Sequence, residues 1–274
     1  MMKSSVFALS IFASTESLSA APDTSSRTFR THKYYCPDRR WFLGWTTSLI
    51  PSCAIALTPE EASRQYDTYA PSYDNLDGGK VSVALGIEDA RREMISKAKG
   101  DVLEIGVGTG LNLDKYVGSQ LTSLTLVDIS EGMLKEAQSR LESLPNVKKV
   151  PVKWVQADAT SQLVDLFGKN SFDTVIDSFS LCVMGNTGAL QSLQQMADVS
   201  RNEVLLLENS RSSNAFLGWY QDITADAAAM AGGKGCVYNQ DVAAMIQSTK
   251  NLQIVKETSY SAGLYRSFVC KVMN

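Results

Sequence analysis

From residue 99 onward the chain alternates short apolar runs with stretches whose apolar residues recur at helical spacing. Val102, Leu103 and Ile105 form the first run, residues 121–127, 152–159, 171–182 and 203–208 supply four more, and 252–258 and 267–272 the last two. Runs this short, bounded by turn residues, read as buried strands. Residues 83–98, 132–144, 189–200, 222–230 and 240–248 read as the intervening helices, the last capped by Asn239; in 189–200 the stripe is Leu190, Leu193, Met196 and Ala197. Strands alternating with helices predict an α/β fold on a doubly wound sheet with helices on both faces. Ahead of it, Thr58-Pro59-Glu60-Glu61 is a helix start, with Thr as cap, Pro in the first turn and acids at the positive end.

The first strand runs straight into Gly106-Val107-Gly108-Thr109-Gly110, with Glu104 two residues before the first glycine and residues 111–116 placed to open a helix. Glycine removes the Cβ that would keep a ligand away from the backbone N–H groups of such a turn. The spacing G-x-G-x-G departs from the dinucleotide fingerprint G-x-G-x-x-G, and an acid at Glu104 suits a cationic or hydroxyl-bearing ligand better than a phosphate. The second strand ends in Asp128, about twenty residues after Gly106, the interval at which a carboxylate reaches ribose hydroxyls. The third ends in Asp158 and the fourth in Asp177-Ser178, with Cys182 just beyond.

Glu104-Ile105-Gly106-Val107-Gly108-Thr109-Gly110 resembles the first motif of class I S-adenosylmethionine-dependent methyltransferases. The paired Tyr66-Asp67 and Tyr73-Asp74 around Ala70-Pro71, the Asp128-Ile129-Ser130-Glu131-Gly132-Met133-Leu134 segment and Phe172-Asp173-Thr174-Val175-Ile176-Asp177-Ser178-Phe179 resemble the ubiquinone/menaquinone type, domain type 11. The resemblance implies a seven-stranded, mostly parallel sheet whose last strand is antiparallel. It implies S-adenosyl-L-methionine as cofactor, with Gly106, Gly108 and Gly110 wrapping the methionine and ribose, and Glu104 near the amino group. Asp128 would hold the ribose, Ile129 and Met133 would flank the adenine, and Asp158 and Ala159 would meet its edge. Tyr73 would close the lid, and Ser178 would stand where cofactor and acceptor meet. One departure is the absence of the L-x-P-G-G turn before the fifth strand, where this chain has Val199-Ser200-Arg201-Asn202.

Composition narrows the chemistry. The 274 residues carry a net charge of −3 and one histidine, His32, inside the N-terminal segment. With that segment removed there is no imidazole for a Ser-His-Asp triad, a His-ligated metal or a His base. Asp177, or a Tyr, is then the candidate base, with Glu208 behind them. Mild acidity and the lack of basic arms argue against a nucleic-acid partner; the five cysteines hold no C-x-x-C pair, so no metal site is expected.

Residues 1–57 read as a targeting presequence: an apolar segment ending in small residues, a Ser/Thr/Arg-rich stretch, then Arg39-Arg40 before a second apolar run closing on Ala54-Ile55-Ala56. That address fits a plastid, in the thylakoid lumen or on its membrane, with a retained anchor or a mitochondrial destination as alternatives. The domains expected are this presequence, an N-terminal helical lid over 58–98 and a methyltransferase catalytic domain over 99–274. The expected activity is methyl transfer to a small-molecule acceptor (a quinone, lipid or thiol), with peripheral membrane contact an open question. The rival is a non-catalytic assembly or scaffold protein on the same fold, since fold alone does not fix function.

Overall fold

The structure is a computed structural model that describes residues 57–74, 85–116, 120–144, 150–231 and 235–273. Of the presequence expected over 1–57, residues 1–56 lie outside these residues. The strands are β1 (Gly100–Ile105), β2 (Leu121–Asp128), β3 (Val152–Gln156), β4 (Phe172–Ser178), β5 (Ser200–Asn209), β6 (Leu252–Tyr260) and β7 (Tyr265–Val272). The helices are α1 (Pro59–Tyr69), α2 (Ile87–Ile95), α3 (Glu131–Glu142), α4 (Leu163–Phe167), α5 (Gly185–Val199), α6 (Ala215–Ala231) and α7 (Val242–Ser248).

The sheet runs β3-β2-β1-β4-β5-β7-β6, parallel except for β7, which pairs antiparallel with both β5 and β6. This is the seven-stranded doubly wound architecture expected. Leu103, Ile105, Val127 and Leu206 pack under α4, α5 and α7 through Leu163, Leu193, Met196, Val242 and Ile246. On the other face Val102, Leu124, Ile176 and Leu205 meet Met94 and Ile95 of α2 and Leu134 and Ala137 of α3. A sheet covered on both faces explains why its central strands are apolar at successive positions rather than alternating. The winding direction reverses between β1 and β4, and an open sheet of this kind leaves its crevice at the carboxyl ends of those strands.

Several elements differ from their expected form. Residues 111–116 make only a single 3₁₀ turn, Leu113–Lys115. Leu113 is fully buried under the glycine loop, and the Lys115 Nζ donates back to the Leu111 carbonyl, which stops the segment from winding on. Helix α6 begins at Ala215, seven residues before the expected 222, because the Asn214 side chain accepts from the N–H groups of Phe216 and Leu217. Gly218 looks like a helix breaker but is needed there, since a Cβ would stand 2.7 Å from the Ser212 carbonyl. Asp241, not Asn239, caps α7, accepting from the Ala244 N–H, while Asn239 donates to Asp222. The short helix α4 carried no clear sequence signal.

Candidate functional site

The glycine loop, the ends of β2, β3 and β4, and α1 enclose a cavity of about 300 Å³. Its floor is Gly106 and Gly108, both in the left-handed region at φ 59° and 55°. A Cβ on Gly106 would sit 2.5 Å from the Cβ of Ser180, so only glycine lets the loop lie this close to the exit of β4. Gly108 is different: a Cβ there would meet nothing nearer than the Gly106 carbonyl oxygen at 4.0 Å, so its bare face belongs to the cavity. Gly110, at φ 82°, does not line the cavity; a Cβ would strike Leu113 at 2.5 Å and crowd Ala137, which makes it the glycine that seats α3 on the loop.

Asp128 closes one wall. Its Oδ2 accepts from the Gly108 N–H at 2.8 Å and its Oδ1 from the Ser130 N–H at 2.9 Å. These two bonds fix the carboxylate between loop and helix and leave lone pairs on each oxygen for further donors. Burial pushes its pKa up to about 6, against the opposing pull of those N–H groups. Ser130 caps α3 by accepting from the Met133 N–H, so the segment after Asp128 presents Ile129 and Met133 to the cavity. Asp158, Ala159 and Thr160 form the far wall, with Asp158 Oδ1 held by the Thr160 N–H and hydroxyl. Ser180, Met184 and Gln191 line the side toward α5, and Ser178 meets the cavity at the end of β4.

The N-terminal helix covers this cavity through its repeated Tyr-Asp pairs. Tyr66 and Tyr73 line it, and their rings lie 6.3 Å apart. The acids do the fastening. Asp67 Oδ1 accepts from the Ser130 hydroxyl at 2.6 Å and from the Gly132 N–H at 2.8 Å, at the start of α3. Asp74 accepts from the Thr109 hydroxyl in the glycine loop at 2.5 Å and pairs with Arg140 of α3. The Thr58 cap expected from the sequence is present, and the Glu61 side chain completes a capping box with it.

Two further acids, Glu104 and Asp177, sit behind the cavity rather than in it. Glu104 is buried on the α2 side of the sheet, where Oε1 accepts from Asn112 at 2.8 Å and Oε2 from the Tyr116 hydroxyl at 2.5 Å. Burial raises its pKa, while Tyr116, Asn112 and the nearby charge of Arg91 act the other way. Arg91 itself donates to Asn112 and to Ser178 Oγ, tying this network to the end of β4. Asp177 is fully buried on the opposite face, registered with Ile105 of β1 and Leu206 of β5. Neither of its oxygens meets hydrogen-bond geometry, although the Ser180 hydroxyl and backbone N–H lie near enough to favour its charged form. Ser180, Met184, Gln191 and the Asn112–Tyr116–Arg91 set were missed by sequence reasoning; only the position of Asn112 straight after the glycine loop signalled any of them.

Residues 102–203 match the family model described as a methyltransferase domain. The chain is 31% identical over 192 residues to a phosphatidylethanolamine N-methyltransferase of Cereibacter sphaeroides, a match spanning 61% of this chain and 86% of that one. The chain belongs to the class I S-adenosylmethionine-dependent methyltransferases. A second relative, the mitochondrial methyltransferase OMS1 of Saccharomyces cerevisiae, is 25% identical over 230 residues, 78% of this chain and 47% of its own length, so the chain spans about half of that relative. The magnesium protoporphyrin IX methyltransferase of Synechocystis PCC 6803, solved with bound S-adenosylhomocysteine, shares the fold at TM-score 0.56 and 17% identity, covering 78% of this methyltransferase and all of that chain.

The residues present fit the family's cofactor. A bare glycine face for ribose and methionine, a fixed carboxylate with spare lone pairs, and an apolar pair at Ile129 and Met133 suit a nucleoside. Asp128, charged above its raised pKa of about 6, favours a hydroxyl-bearing and cationic ligand over a pyrophosphate at this wall.

Proposed function

We propose that this methyltransferase holds S-adenosylmethionine across Gly106, Gly108, Tyr73, Asp128, Ile129, Met133, Asp158 and Ala159, and transfers its methyl group to a small-molecule acceptor that enters beside Ser178. The observation that carries the reading is the doubly anchored Asp128 facing the open side of Gly108. The cofactor supplies an electrophilic methyl on a positively charged sulfur. The protein's part is positional: the loop and Asp128 fix the nucleoside, Tyr66 and Tyr73 exclude water from above, and the Ser178–Ser180 wall aligns the acceptor. Glu104 acts from behind, through Asn112 and the loop.

A lipid or quinone acceptor agrees with the apolar share of the cavity wall and with the lipid named for the Cereibacter relative. Assignment to the quinone-methylating subgroup rests on the sequence resemblance of the Tyr-Asp pairs and of residues 128–134 and 172–179. An organellar address is part of the proposal: a mitochondrial destination agrees with the yeast relative's name, and a plastid one rests on residues 1–57 only. Among the described residues no helix is long and apolar enough to cross a membrane.

Calorimetry with S-adenosylhomocysteine, and separately with NAD, tests the reading on the full chain. Micromolar binding of the first and none of the second is expected. A folded chain that binds neither sinks it in favour of a scaffold role.

A further inference from the structure

At the ends of β4 and β5, on the face covered by α5 and α7, lies a group of buried acceptor atoms that have no hydrogen-bond partner among the described residues. Both Oδ atoms of Asp177, Oε2 of Glu208 and Oγ of Ser180 are buried and make no hydrogen bond of acceptable geometry. They belong together: Glu208 Oε1 accepts from the Ser180 N–H at 3.2 Å, and the Ser180 hydroxyl stands beside Asp177. Ser180 lines the cavity, and its Cβ lies against Gly106. Buried polar groups are otherwise satisfied in folded proteins, so such a set marks where a donor arrives.

Among the described residues, the titratable groups whose influence reaches Asp177 and its partner Glu208 are acids and a thiol. Glu208 comes from β5 on the same face and Glu104 from β1 on the other; the Glu104 charge pushes the proton affinity of Asp177 up, and Asp177 with Cys182, beyond β4, does the same to Glu208. Two cations near Glu104, Arg91 and Lys115, are engaged on the other side of the sheet, Arg91 with Asn112 and Ser178 and Lys115 with Glu88. An acceptor that must attack as an anion, such as a thiolate, phenolate or carboxylate, is disfavoured in this field. An ammonium is attracted by it, and becomes a neutral nucleophile by giving up a proton.

We infer that the acceptor is a primary or secondary amine, and that Ser180 passes its proton to the Asp177–Glu208 carboxylate pair. This rests on the methyltransferase reading above and narrows its acceptor to one class. In the step proposed, an N–H bond of the ammonium breaks and the proton moves to Ser180 Oγ as the Ser180 proton moves to Asp177 Oδ. The freed nitrogen lone pair takes the methyl group, whose former bonding pair stays on sulfur. Glu208 keeps its own proton, so the pair holds one negative charge before the transfer and none after it.

The test uses the full chain with S-adenosylmethionine and four probes: phosphatidylethanolamine vesicles, hexylamine, aniline and hexanethiol. Methylation of vesicles alone assigns a lipid amine, and methylation of hexylamine a free one; either supports the inference. Methylation of hexanethiol without any amine, or of no probe by a chain that binds S-adenosylhomocysteine, overturns it. Failure to bind S-adenosylhomocysteine rejects instead the reading beneath it. Asp177→Asn is expected to keep S-adenosylhomocysteine affinity and to lower turnover of the ionised amine about 100-fold. Aniline, already neutral at pH 7, should change only a few-fold. With vesicles as the only substrate, the break in the wild-type rate profile set by Asp177 should be absent in the variant, whose rate should climb with the neutral-amine fraction alone up to the amine's own pKa. Equal losses on both amines, or an unchanged break, would remove Asp177 from proton transfer.

Discussion

Asp128 and the glycines beside it give the sharpest expectations at the scale of single residues. A carboxylate that receives hydroxyl donors contributes about 1.5–3 kcal/mol, so Asp128→Ala should weaken S-adenosylhomocysteine about 10- to 100-fold in calorimetry. Its pKa is raised by burial to about 6, and the ligand's hydroxyls need the charged form. Affinity should therefore tighten as pH climbs through 6, and a flat profile would remove Asp128 from the ribose. The two loop glycines separate folding from binding. Gly106→Ala meets Ser180 as well as the strain of a positive φ, about 1–2 kcal/mol, and should lose both stability and ligand. Gly108→Ala carries the strain but no collision, so the chain should stay folded and lose ligand only.

At the scale of elements, the repeated Tyr-Asp pairs show how a lid is attached. Asp67 supplies a side-chain cap to α3 from a different helix, and Asp74 bridges the glycine loop to Arg140. Losing a cap costs about 1 kcal/mol, so Asp67→Ala should lower the melting temperature modestly. It should also make α1 a preferred cleavage site in limited proteolysis, with protection restored by S-adenosylhomocysteine; equal cleavage of variant and wild type would dissociate Asp67 from lid closure. Sequence exposed the strands and their terminal acids well, because apolar runs and strand-end carboxylates are local signals. It did not expose what those acids hold. Glu104 was expected beside the ligand and instead spends its oxygens on Asn112 and Tyr116, partners placed by the 3₁₀ turn after the loop. The start of α6 was hidden for a related reason: the contact that demands Gly218 comes from Ser212, outside the helix.

Across the whole molecule, burial raises the proton affinity of Glu104, Asp128, Asp177 and Glu208 together. A group raised in the folded state stabilises fully below its unfolded pKa, and that contribution is lost as pH rises through the folded value. For Asp128 and Asp177 those windows run from 3.8 to about 6 and to about 7. The ligand-free chain should therefore melt at a higher temperature near pH 5 than near pH 8, with Asp177→Asn flattening the upper part of the curve. A melting temperature that climbs steadily over that range would contradict the burial of these acids. The sheet carries a different consequence through β7, which is synthesised after β6 yet lies between it and β5. Until β7 emerges, β5 has an open edge along Glu203–Asn209 and β6 has nothing to pair with. A growing chain thus keeps the β5 edge open until β7 has cleared the ribosome, an interval in which a holding chaperone has an unpaired strand edge to cover.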